Sequence, residues 1–335
     1  MRNPWASKLI AIIAIVTAAV LGLGLSCKKE EKVKKGPFVI GFNEWVGFAP
    51  FYLAKEKGYF GDLDVSLNFI ELEGDKRAGL YSGRFQMICE TTDMFQTNRD
   101  NAAYPGKVVF AVDESLGGDG VVASADVKTL SDLKGKTVVS EPGLPAHFVL
   151  QYLLHKEGMT MDDIDVQEMT SADAASAFIA GKADVAGTYE PYLTKALNKR
   201  AGAHLLVSTK DLPGLIIDVG IVTDETLAKR PEDVKVVYDG WCKAVKDLQT
   251  NPDDVVPIMA KAFKMSPQEF NETRSGLRYI DVAENRKLFG TKTNRGTIFT
   301  TFDLAGEILS ENRLTKATAP SSLKVETSVV SPPAK

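Results

Sequence analysis

Histidine and cysteine are scarce in this chain of 335 residues, which contains only three of each. Neither type recurs at the spacing that metal sites use. No Ser or Cys occupies the nucleophile elbow of a hydrolase, and no glycine-rich phosphate loop is present. The net charge is −4, and without a basic patch the chain lacks the electrostatic footprint of a nucleic-acid-binding protein. We therefore expect no catalysis, no metal, no cofactor and no nucleic-acid partner.

The internal cysteines do not indicate a disulfide bond. Beyond Cys27 the chain has only Cys89, in an apolar strand-like run, and Cys242, beside Trp241 in a helical pattern. Such surroundings favour reduced thiols within a hydrophobic core.

The amino-terminal segment has the pattern of a secretion signal. Two basic residues precede an uncharged run from Leu9 to Leu25, and Ser26-Cys27 follows at once. This resembles a bacterial lipoprotein signal, in which residues 1–26 are removed and Cys27 is lipidated; an uncleaved membrane anchor is the alternative. Residues 27–36 then form a charged tether. Both alternatives place the remainder outside the cytoplasmic membrane.

The chain contains the same pattern of predicted elements twice. From Pro37, and again from Lys136, strand, helix, strand, helix and strand follow one another. Gly58 and Gly158 end the first helix of each unit, as helix C-terminal glycines do. Two βαβαβ units of matching length predict two doubly wound α/β lobes facing each other across a cleft.

Two β-rich segments are predicted to connect the lobes. Lys107–Ser124 encloses an acidic, glycine-rich turn, and Leu215–Val222 has the composition of the return crossover. The predicted organisation is lobe 1 at residues 37–123 and 223–314, lobe 2 at residues 124–222, and a loosely ordered tail, rich in Thr, Ser, Pro and Ala, at residues 315–335.

Four segments resemble those of a known family: APFYLAKEKGYF at 49–60, DESLGGDGVVAS at 113–124, DLKGKTV at 132–138 and AFIAGKADVAGTYEPYL at 177–193. In this order and spacing they resemble the nitrate/taurine/sulfonate-type (NMT1-like) substrate-binding proteins of ABC importers. The resemblance covers Pro37 to Leu314. It implies a type II periplasmic-binding-protein fold that closes on one small molecule, in a monomer without a cofactor. The implied partners are an ABC permease and its ATPase.

Six segments are expected to line the cleft, and none contains Lys or Arg: Asn43–Ala54, Thr91–Asn98, Ala111–Ser124, Glu141–Leu154, Gly187–Leu193 and Gly214–Val222. A bare anion ~4 Å from one of their carboxylates would meet ~4 kcal/mol of repulsion, without the bidentate Arg that oxyanions favour. The turns at Gly47–Pro50 and Leu144–His147 precede helices, whose N-termini can still hold a sulfonate. The balance favours a zwitterion, a neutral heterocycle or a cation over nitrate alone.

Candidate ligand-binding residues lie at the strand ends and turns of these segments. Trp45 and Phe48 either stack on the ligand or pack the lobe. Asp93 either contacts the ligand or caps a helix. Asp218 lies in an apolar run, where a carboxylate needs a ligand amine or backbone donors. The full predicted set is Asn43, Trp45, Phe48, Thr92, Asp93, Ser115, Asp119, His147, Glu190 and Asp218.

The other candidates also have structural alternatives. Asn43 ends a strand and either hydrogen-bonds the ligand or shapes the turn. Ser115 and Asp119 flank a Gly-Gly pair, where missing side chains permit close backbone approach. His147 starts a helix and either contacts the ligand or caps and packs that helix. Glu190 ends the second unit at the cleft and is the strongest single candidate.

We therefore expect an extracytoplasmic solute-binding lipoprotein that captures a small nitrogen- or sulfur-containing organic compound for an ABC importer. Taurine- or sulfonate-like zwitterions, amidine-type cations and amino-heterocycles are the ligand classes considered. A ligand-sensing module for a membrane receptor, or a binding protein for a thiamine-precursor pyrimidine, would have the same cleft. An enzyme on this fold is disfavoured by the missing nucleophile and metal patterns, although fold alone does not decide function.

Overall fold

A computed structural model describes residues 36–70, 73–97, 105–291, 293–313, 315 and 318–331. The predicted signal at 1–26, the predicted lipidation site Cys27 and the tether through residue 35 lie outside these residues. Within the described ranges, no helix is long and apolar enough to cross a membrane.

The described strands form two sheets. In chain order they are β1 (Phe38–Phe42), β2 (Val65–Phe69), β3 (Met87–Thr91), β4 (Lys107–Ser115), β5 (Asp119–Ala123), β6 (Thr137–Ser140), β7 (Asp165–Glu168), β8 (Val185–Tyr189), β9 (His204–Ser208), β10 (Ile217–Val222) and β11 (Leu277–Tyr279). The first sheet has the order β11-β4-β10-β3-β1-β2, and the second has the order β7-β6-β8-β5-β9.

Helices cover both sheets. In chain order they are α1 (Ala49–Glu56), α2 (Glu73–Tyr81), α3 (Thr92–Gln96), α4 (Pro145–Lys156), α5 (Ser171–Ile179), α6 (Tyr192–Lys199), α7 (Asp224–Lys229), α8 (Pro231–Thr250), α9 (Pro252–Ala262), α10 (Pro267–Arg274), α11 (Val282–Phe289), α12 (Thr297–Glu311) and α13 (Ser321–Lys324). Short 3₁₀ turns lie at Val46–Phe48, Leu130–Leu133, Met161–Asp163 and Thr209–Asp211.

Each sheet combines the predicted parallel βαβαβ unit with antiparallel strands. β2, β1 and β3 are parallel in the first sheet, as are β7, β6 and β8 in the second. Gly58 and Gly158 follow the first helix of each unit with φ of 67° and 68°, which only glycine adopts readily. The predicted two-lobed α/β fold is confirmed.

Aromatic rings fill the core of the first lobe. The ring of Phe51 on α1 lies 4.7 Å from that of Trp241 on α8, between centroids, and both residues are fully buried. Trp241 donates its indole N–H to the carbonyl of Ile280 at 3.1 Å, so its one polar group is satisfied in the core. Cys89 and Cys242 are free thiols, the first buried and the second partly buried.

The second lobe has a hydrophobic cluster on each face of its sheet. Phe148 of α4 belongs to one cluster and Phe178 of α5 to the other. Neighbouring residues in β5 alternate between the clusters, with Val121 in the first and Val122 in the second. That alternation is expected for a strand buried on both faces.

The chain changes sheets earlier than the sequence analysis expects. β4 ends at Ser115 in the first sheet, and β5 begins at Asp119 in the second. The chain returns between β9 and β10, because β10 pairs with β3 and β4. The boundaries expected at residues 124 and 222 correspond to the carboxyl ends of β5 and β10. Both strands already belong to the lobe that the chain is entering, so the changes of lobe occur before Asp119 and before Ile217. Apolar composition marks a segment as a strand but does not specify which sheet it joins.

The carboxyl-terminal segment differs from the loose tail that its composition predicts. Within residues 318–331, Val325, Val329 and Val330 are buried against the core of the first lobe. The backbone N–H of Glu326 donates to the carbonyl of Val108 at 2.9 Å. Three valines among small polar residues are enough to attach this segment to the lobe.

Candidate functional site

A small cavity lies between the lobes and is lined from both. Its lining residues are Asn43, Glu44, Trp45, Glu90, Thr91, Met94 and Asp218 from the first lobe, and Asp119, Leu144, Pro145 and Tyr189 from the second. The space open to the centres of water-sized molecules is about 40 Å³. A cavity of this size accommodates only a few water molecules. A larger ligand therefore requires the lobes to move apart.

A row of polar side chains crosses the first sheet beneath the cavity. In β10, Asp218 lies directly opposite Thr91 of β3 on one side and Asp113 of β4 on the other. Asp113 in turn lies opposite Tyr279 of β11. Directly opposed residues of antiparallel strands project from the same face, so this register gathers two carboxyl groups at one place.

Contacts on three sides hold the Trp45 ring between the lobes. Its indole N–H donates to the Asp113 carboxylate, at 3.2 Å from Oδ1 and 3.3 Å from Oδ2. The ring meets Tyr189 of the second lobe edge-on, with centroids 6.5 Å apart. A Cβ on Gly47 would lie 2.0 Å from an Asp113 oxygen, and one on Gly118 would lie 2.7 Å from the Trp45 ring. Both glycines are therefore needed for this placement of Trp45.

Thr209 connects the two crossovers beside the cavity. Its fully buried hydroxyl accepts a hydrogen bond from the backbone N–H of Gly117 at 2.8 Å and lies 2.8 Å from the Ser115 hydroxyl. The backbone N–H of Asp119 approaches the same oxygen at 3.4 Å. One side chain at the return crossover thus joins three residues of the outward crossover.

Four buried aspartates around the cavity have raised pKa values. Burial raises the pKa of Asp119 to about 6, against a lowering effect of the nearby Ser115 hydroxyl. Burial also raises the pKa of Asp93 to about 7. Burial raises the pKa values of Asp113 and Asp218 as well. At Asp113 the Trp45 hydrogen bond opposes this effect and the charges of Asp119 and Glu114 add to it, and at Asp218 the charges of Asp113 and Asp119 add to it. Near neutral pH, protons or another positive charge therefore stabilise this site.

Two cations approach the cavity from α2, outside the six segments predicted to line it. Glu90 accepts from Arg77 at 3.2 Å, and the buried Lys76 ammonium lies 3.9 Å from the same oxygen. Their contact is with Glu90, and no Lys or Arg is among the described residues that line the cavity. Basic side chains therefore reach the site, contrary to the composition of the six segments, but they lie behind a carboxylate.

The predicted ligand residues divide into two groups. Those that line the cavity are Asn43, Trp45, Asp119 and Asp218. Those that do not are Phe48, Thr92, Asp93, Ser115, His147 and Glu190. Thr92 and Asp93 are buried at the start of α3, and Oδ1 of Asp93 and the Thr92 hydroxyl have no hydrogen-bond partner among the described residues.

Phe48 and His147 pack within their own lobes and do not line the cavity. Phe48 is buried in the first core with its ring 5.3 Å from that of Phe42, so it does not present a face to a ligand. Nδ1 of His147 lies 2.7 Å from the Ser140 hydroxyl, within the second lobe. Burial lowers the pKa of His147 to about 4, which keeps the ring neutral.

Glu190, the strongest candidate from the sequence, forms hydrogen bonds with the first turn of α6. Its carboxylate accepts hydrogen bonds from the Thr194 hydroxyl at 2.7 Å and from the Thr194 backbone N–H at 3.3 Å. Its position just before a helix explains this, since the first N–H groups of a helix lack partners within it. The adjacent Tyr189 lines the cavity in its place.

Several lining residues were not among the candidates predicted from the sequence. Glu90 interrupts the apolar run of β3 as Asp218 interrupts that of β10, and the same signal should have identified it. Met94 is an apolar residue of α3 with no distinguishing pattern. Leu144 and Pro145 are the N-cap and first residue of α4 and lie in a segment that was expected to line the cleft, but neither was named as a ligand-binding candidate.

Two doubly wound lobes, joined by two crossovers around a cavity, define the type II periplasmic-binding-protein fold. Solved structures share it. The periplasmic aliphatic sulphonate binding protein SsuA from Escherichia coli aligns with a TM-score of 0.69 and 16% identity, covering 87% of this chain and 93% of that one. The alkanesulfonate-binding protein SsuA from Xanthomonas axonopodis pv. citri, bound to MOPS, aligns with a TM-score of 0.66 and 16% identity, covering 88% and 99%.

The NMT1/THI5-like family model matches residues 45–255, more than half of the chain, and the chain belongs to that family. A Brucella abortus relative named as a binding protein is 30% identical over 164 residues, which is 48% of this chain and 51% of the relative. An Escherichia coli relative named for binding aliphatic sulfonates is 34% identical over 92 residues, 28% of each chain. The chain thus spans about half the length of the Brucella relative it matches.

Proposed function

We propose that this protein captures a small organic compound outside the cytoplasmic membrane and delivers it to an ABC importer. The cavity lined from both lobes carries the proposal, since a ligand there would contact both lobes and favour their closed arrangement. Membership of the NMT1/THI5-like family and the binding-protein names of its relatives support it.

The ligand is a small compound with a nitrogen that is positively charged or donates hydrogen bonds. Asp119, Asp218, Glu44 and Glu90 line the cavity and would repel a bare anion. A taurine- or sulfonate-like zwitterion satisfies this requirement, as do an amidine-type cation and an amino-heterocycle. The sulfonate-binding names of structural neighbours favour the zwitterion, and α4, which begins at the cavity, offers its N-terminal dipole to a sulfonate.

Each lining residue has a distinct role in this proposal. Asp119 and Asp218 bind the ligand nitrogen from opposite lobes, and Asn43 donates or accepts through its amide. Trp45 presents an aromatic surface whose orientation is held by Asp113. The lobes rotate about the crossovers that Thr209 connects, and closure presents a combined surface to the permease.

The cellular setting follows from the amino-terminal prediction. Residues 1–26 would direct export, and lipid on Cys27 would anchor the protein to a membrane beside the permease and its ATPase. The binding protein would act as a monomer and use no cofactor, because ATP is hydrolysed by its partner.

Calorimetric titration with small-angle scattering tests the proposal. The purified protein is titrated with taurine, ethanesulfonate, benzamidine and 4-amino-2-methylpyrimidine. We expect at least one compound to bind with one-to-one stoichiometry and to decrease the radius of gyration. Asp218→Ala should weaken that binding by roughly 10- to 150-fold, the range for losing a hydrogen bond to a charged group.

Glu168→Gln is the matched control, because Glu168 is exposed on the outer strand β7 and does not line the cavity, and the substitution removes one negative charge. It should bind as the wild type does. Saturable binding that leaves the radius of gyration unchanged, or that Asp218→Ala does not weaken, would contradict the proposal. Conversion of a compound into a product would favour an enzyme.

A further inference from the structure

Two aspartates face the same cavity from opposite lobes. Asp119 begins β5 of the second sheet, and Asp218 lies in β10 of the first; both line the cavity, and their exposed fractions are 4% and 5%. The Asp218 side chain is almost completely withdrawn from solvent, where the charges of Asp113 and Asp119 act on it. Two acidic side chains from opposite lobes thus share one small cavity.

Unpartnered carboxylate oxygen atoms at the cavity and beside it point to an occupant. Oε1 of Glu90, a residue that lines the cavity and is 1% exposed, has no hydrogen-bond partner among the described residues. Oδ1 of Asp93, also 1% exposed, has none either, although Asp93 does not itself line the cavity. Buried carboxylate oxygens normally accept hydrogen bonds, so these atoms indicate that donors are supplied from outside the chain.

The charged groups around Asp218 are predominantly acidic. The facing groups are Asp93 on α3, Cys89 and Glu90 on β3, Asp113 and Glu114 on β4, Asp119 on β5, Tyr279 on β11, Glu44 before α1, Glu190 after β8, Lys76 and Arg77 on α2, and Arg278 on β11. Lys76 and Arg77 contact Glu90, and Arg278 contacts Glu114. The ion pairs of these three cations are with the two glutamates, and the charge of Lys76 also acts on Asp218 and partly opposes the rise of its pKa.

We infer that the lobes close only when positive charge enters between Asp119 and Asp218, carried by a protonated ligand nitrogen or, in the ligand-free protein, by protons on these carboxylates. The inference rests on the proposed function, because it names the ligand class and the regulation of that same cavity. Two consequences follow: an ammonium or amidinium group distinguishes ligand from non-ligand, and ligand capture releases protons.

The ionisation of the site supports this coupling. Burial raises the pKa of Asp119 to about 6 and that of Asp93 to about 7, and it also raises the pKa of Asp218. Near neutral pH the empty closed cavity therefore retains protons that a cationic ligand displaces. By linkage, each proton released makes the affinity rise about tenfold per pH unit below the carboxyl pKa.

Small-angle scattering of the ligand-free protein at pH 5.5 and pH 8.5 is the first test. We expect a smaller radius of gyration at pH 5.5, where the carboxylates are protonated, than at pH 8.5. The double variant Asp119→Asn/Asp218→Asn should keep the smaller value at pH 8.5. Asp165→Asn/Glu168→Gln, which neutralises two exposed acids on the outer strand β7, should behave as the wild type does.

Taurine and isethionate provide the second test. Both have a two-carbon chain that ends in a sulfonate, but taurine carries an ammonium group where isethionate carries a hydroxyl group. Taurine should compact the wild-type protein at pH 8.5 at a concentration at least about tenfold lower than isethionate, since only taurine brings positive charge to the carboxylates. In the Asn double variant this preference should disappear.

Two results would overturn the inference: equal radii of gyration at both pH values, or isethionate acting at a concentration equal to or below that of taurine. The proposed function would survive either result if any probe still compacted the protein. If no probe changed the radius of gyration of any variant at either pH, the proposed function itself would be refuted.

Discussion

Replacement of Asp119 by Asn should stabilise the ligand-free protein, and the effect should grow with pH. Asp119 is 4% exposed, and burial is the main reason that its pKa is about 6 in the folded chain rather than the ordinary 3.8. Between these two pH values the folded state binds a proton that the unfolded state releases. The free energy of unfolding therefore falls as pH rises through this window.

The expected size follows from the pKa difference. At ~1.4 kcal/mol for each pH unit, raising a carboxyl pKa from 3.8 to about 6 costs the folded state ~3 kcal/mol above pH 6. Asn has nearly the same shape and no charge, so the variant avoids this cost. We expect it to be more stable than the wild type at pH 8 by at most ~3 kcal/mol, because opening of the lobes relieves part of this cost, and about equally stable at pH 4.

Urea unfolding at pH 4, 6 and 8, followed by circular dichroism, measures this difference. His147, whose pKa burial lowers to about 4, adds an opposite pH dependence below pH 6.5, but it contributes equally to both proteins and cancels in the comparison. Glu168→Gln, on the exposed face of β7, should show no pH-dependent gain. A variant that is less stable than the wild type by the same amount at all three pH values would refute the reasoning, because Asp119 would then act through its hydrogen bonds and not through its buried charge.

Three further predictions concern the neighbouring contacts. Gly47→Ala should break the hydrogen bond from Trp45 to Asp113, because its Cβ would lie 2.0 Å from an Asp113 oxygen. In a background that also carries Trp5→Phe and Trp241→Phe, a changed Trp45 emission spectrum would show this, and an unchanged one would contradict it. Trp45→Phe should cost ~1.5–3 kcal/mol of unfolding free energy at pH 9 and less at pH 6, because the indole N–H serves the ionised carboxylate best; equal losses at both pH values would argue against this. Thr209→Val should cost ~1–3 kcal/mol by leaving the Gly117 N–H without its partner, whereas Thr209→Ser should retain most of the stability in urea unfolding.

Local patterns were sufficient to predict the two lobes. Repeated alternation of apolar strands and amphipathic helices, with Gly58 and Gly158 at matching places, depends on backbone preferences that act within a few residues. The position of Trp45 after β1 also followed from local order, because strand carboxyl ends open on the cleft. Its partner Asp113 is 68 residues away, and nothing in the local pattern distinguished it from an ordinary crossover acid.

Some of the residues predicted from local sequence to bind the ligand do not line the cavity. Glu190 and Phe48 are close in sequence to residues that line the cavity. Glu190 nevertheless hydrogen-bonds the first turn of α6, and Phe48 packs in the core of the first lobe. Lys76 lies on a helix outside the predicted lining and still approaches Glu90. Which way a side chain points from a turn depends on what packs behind it.

The amino-acid sequence by itself therefore determined the repeated units, the two-lobed fold and an excess of acids over bases in the segments between the lobes. Only the tertiary structure decided that β5 and β10 join opposite sheets, which places Asp119 and Asp218 on the two sides of one cavity. The physical reason is that strand pairing and burial couple residues far apart in the chain. The same burial that excludes water from these carboxylates raises their pKa values, and no local sequence pattern reports it.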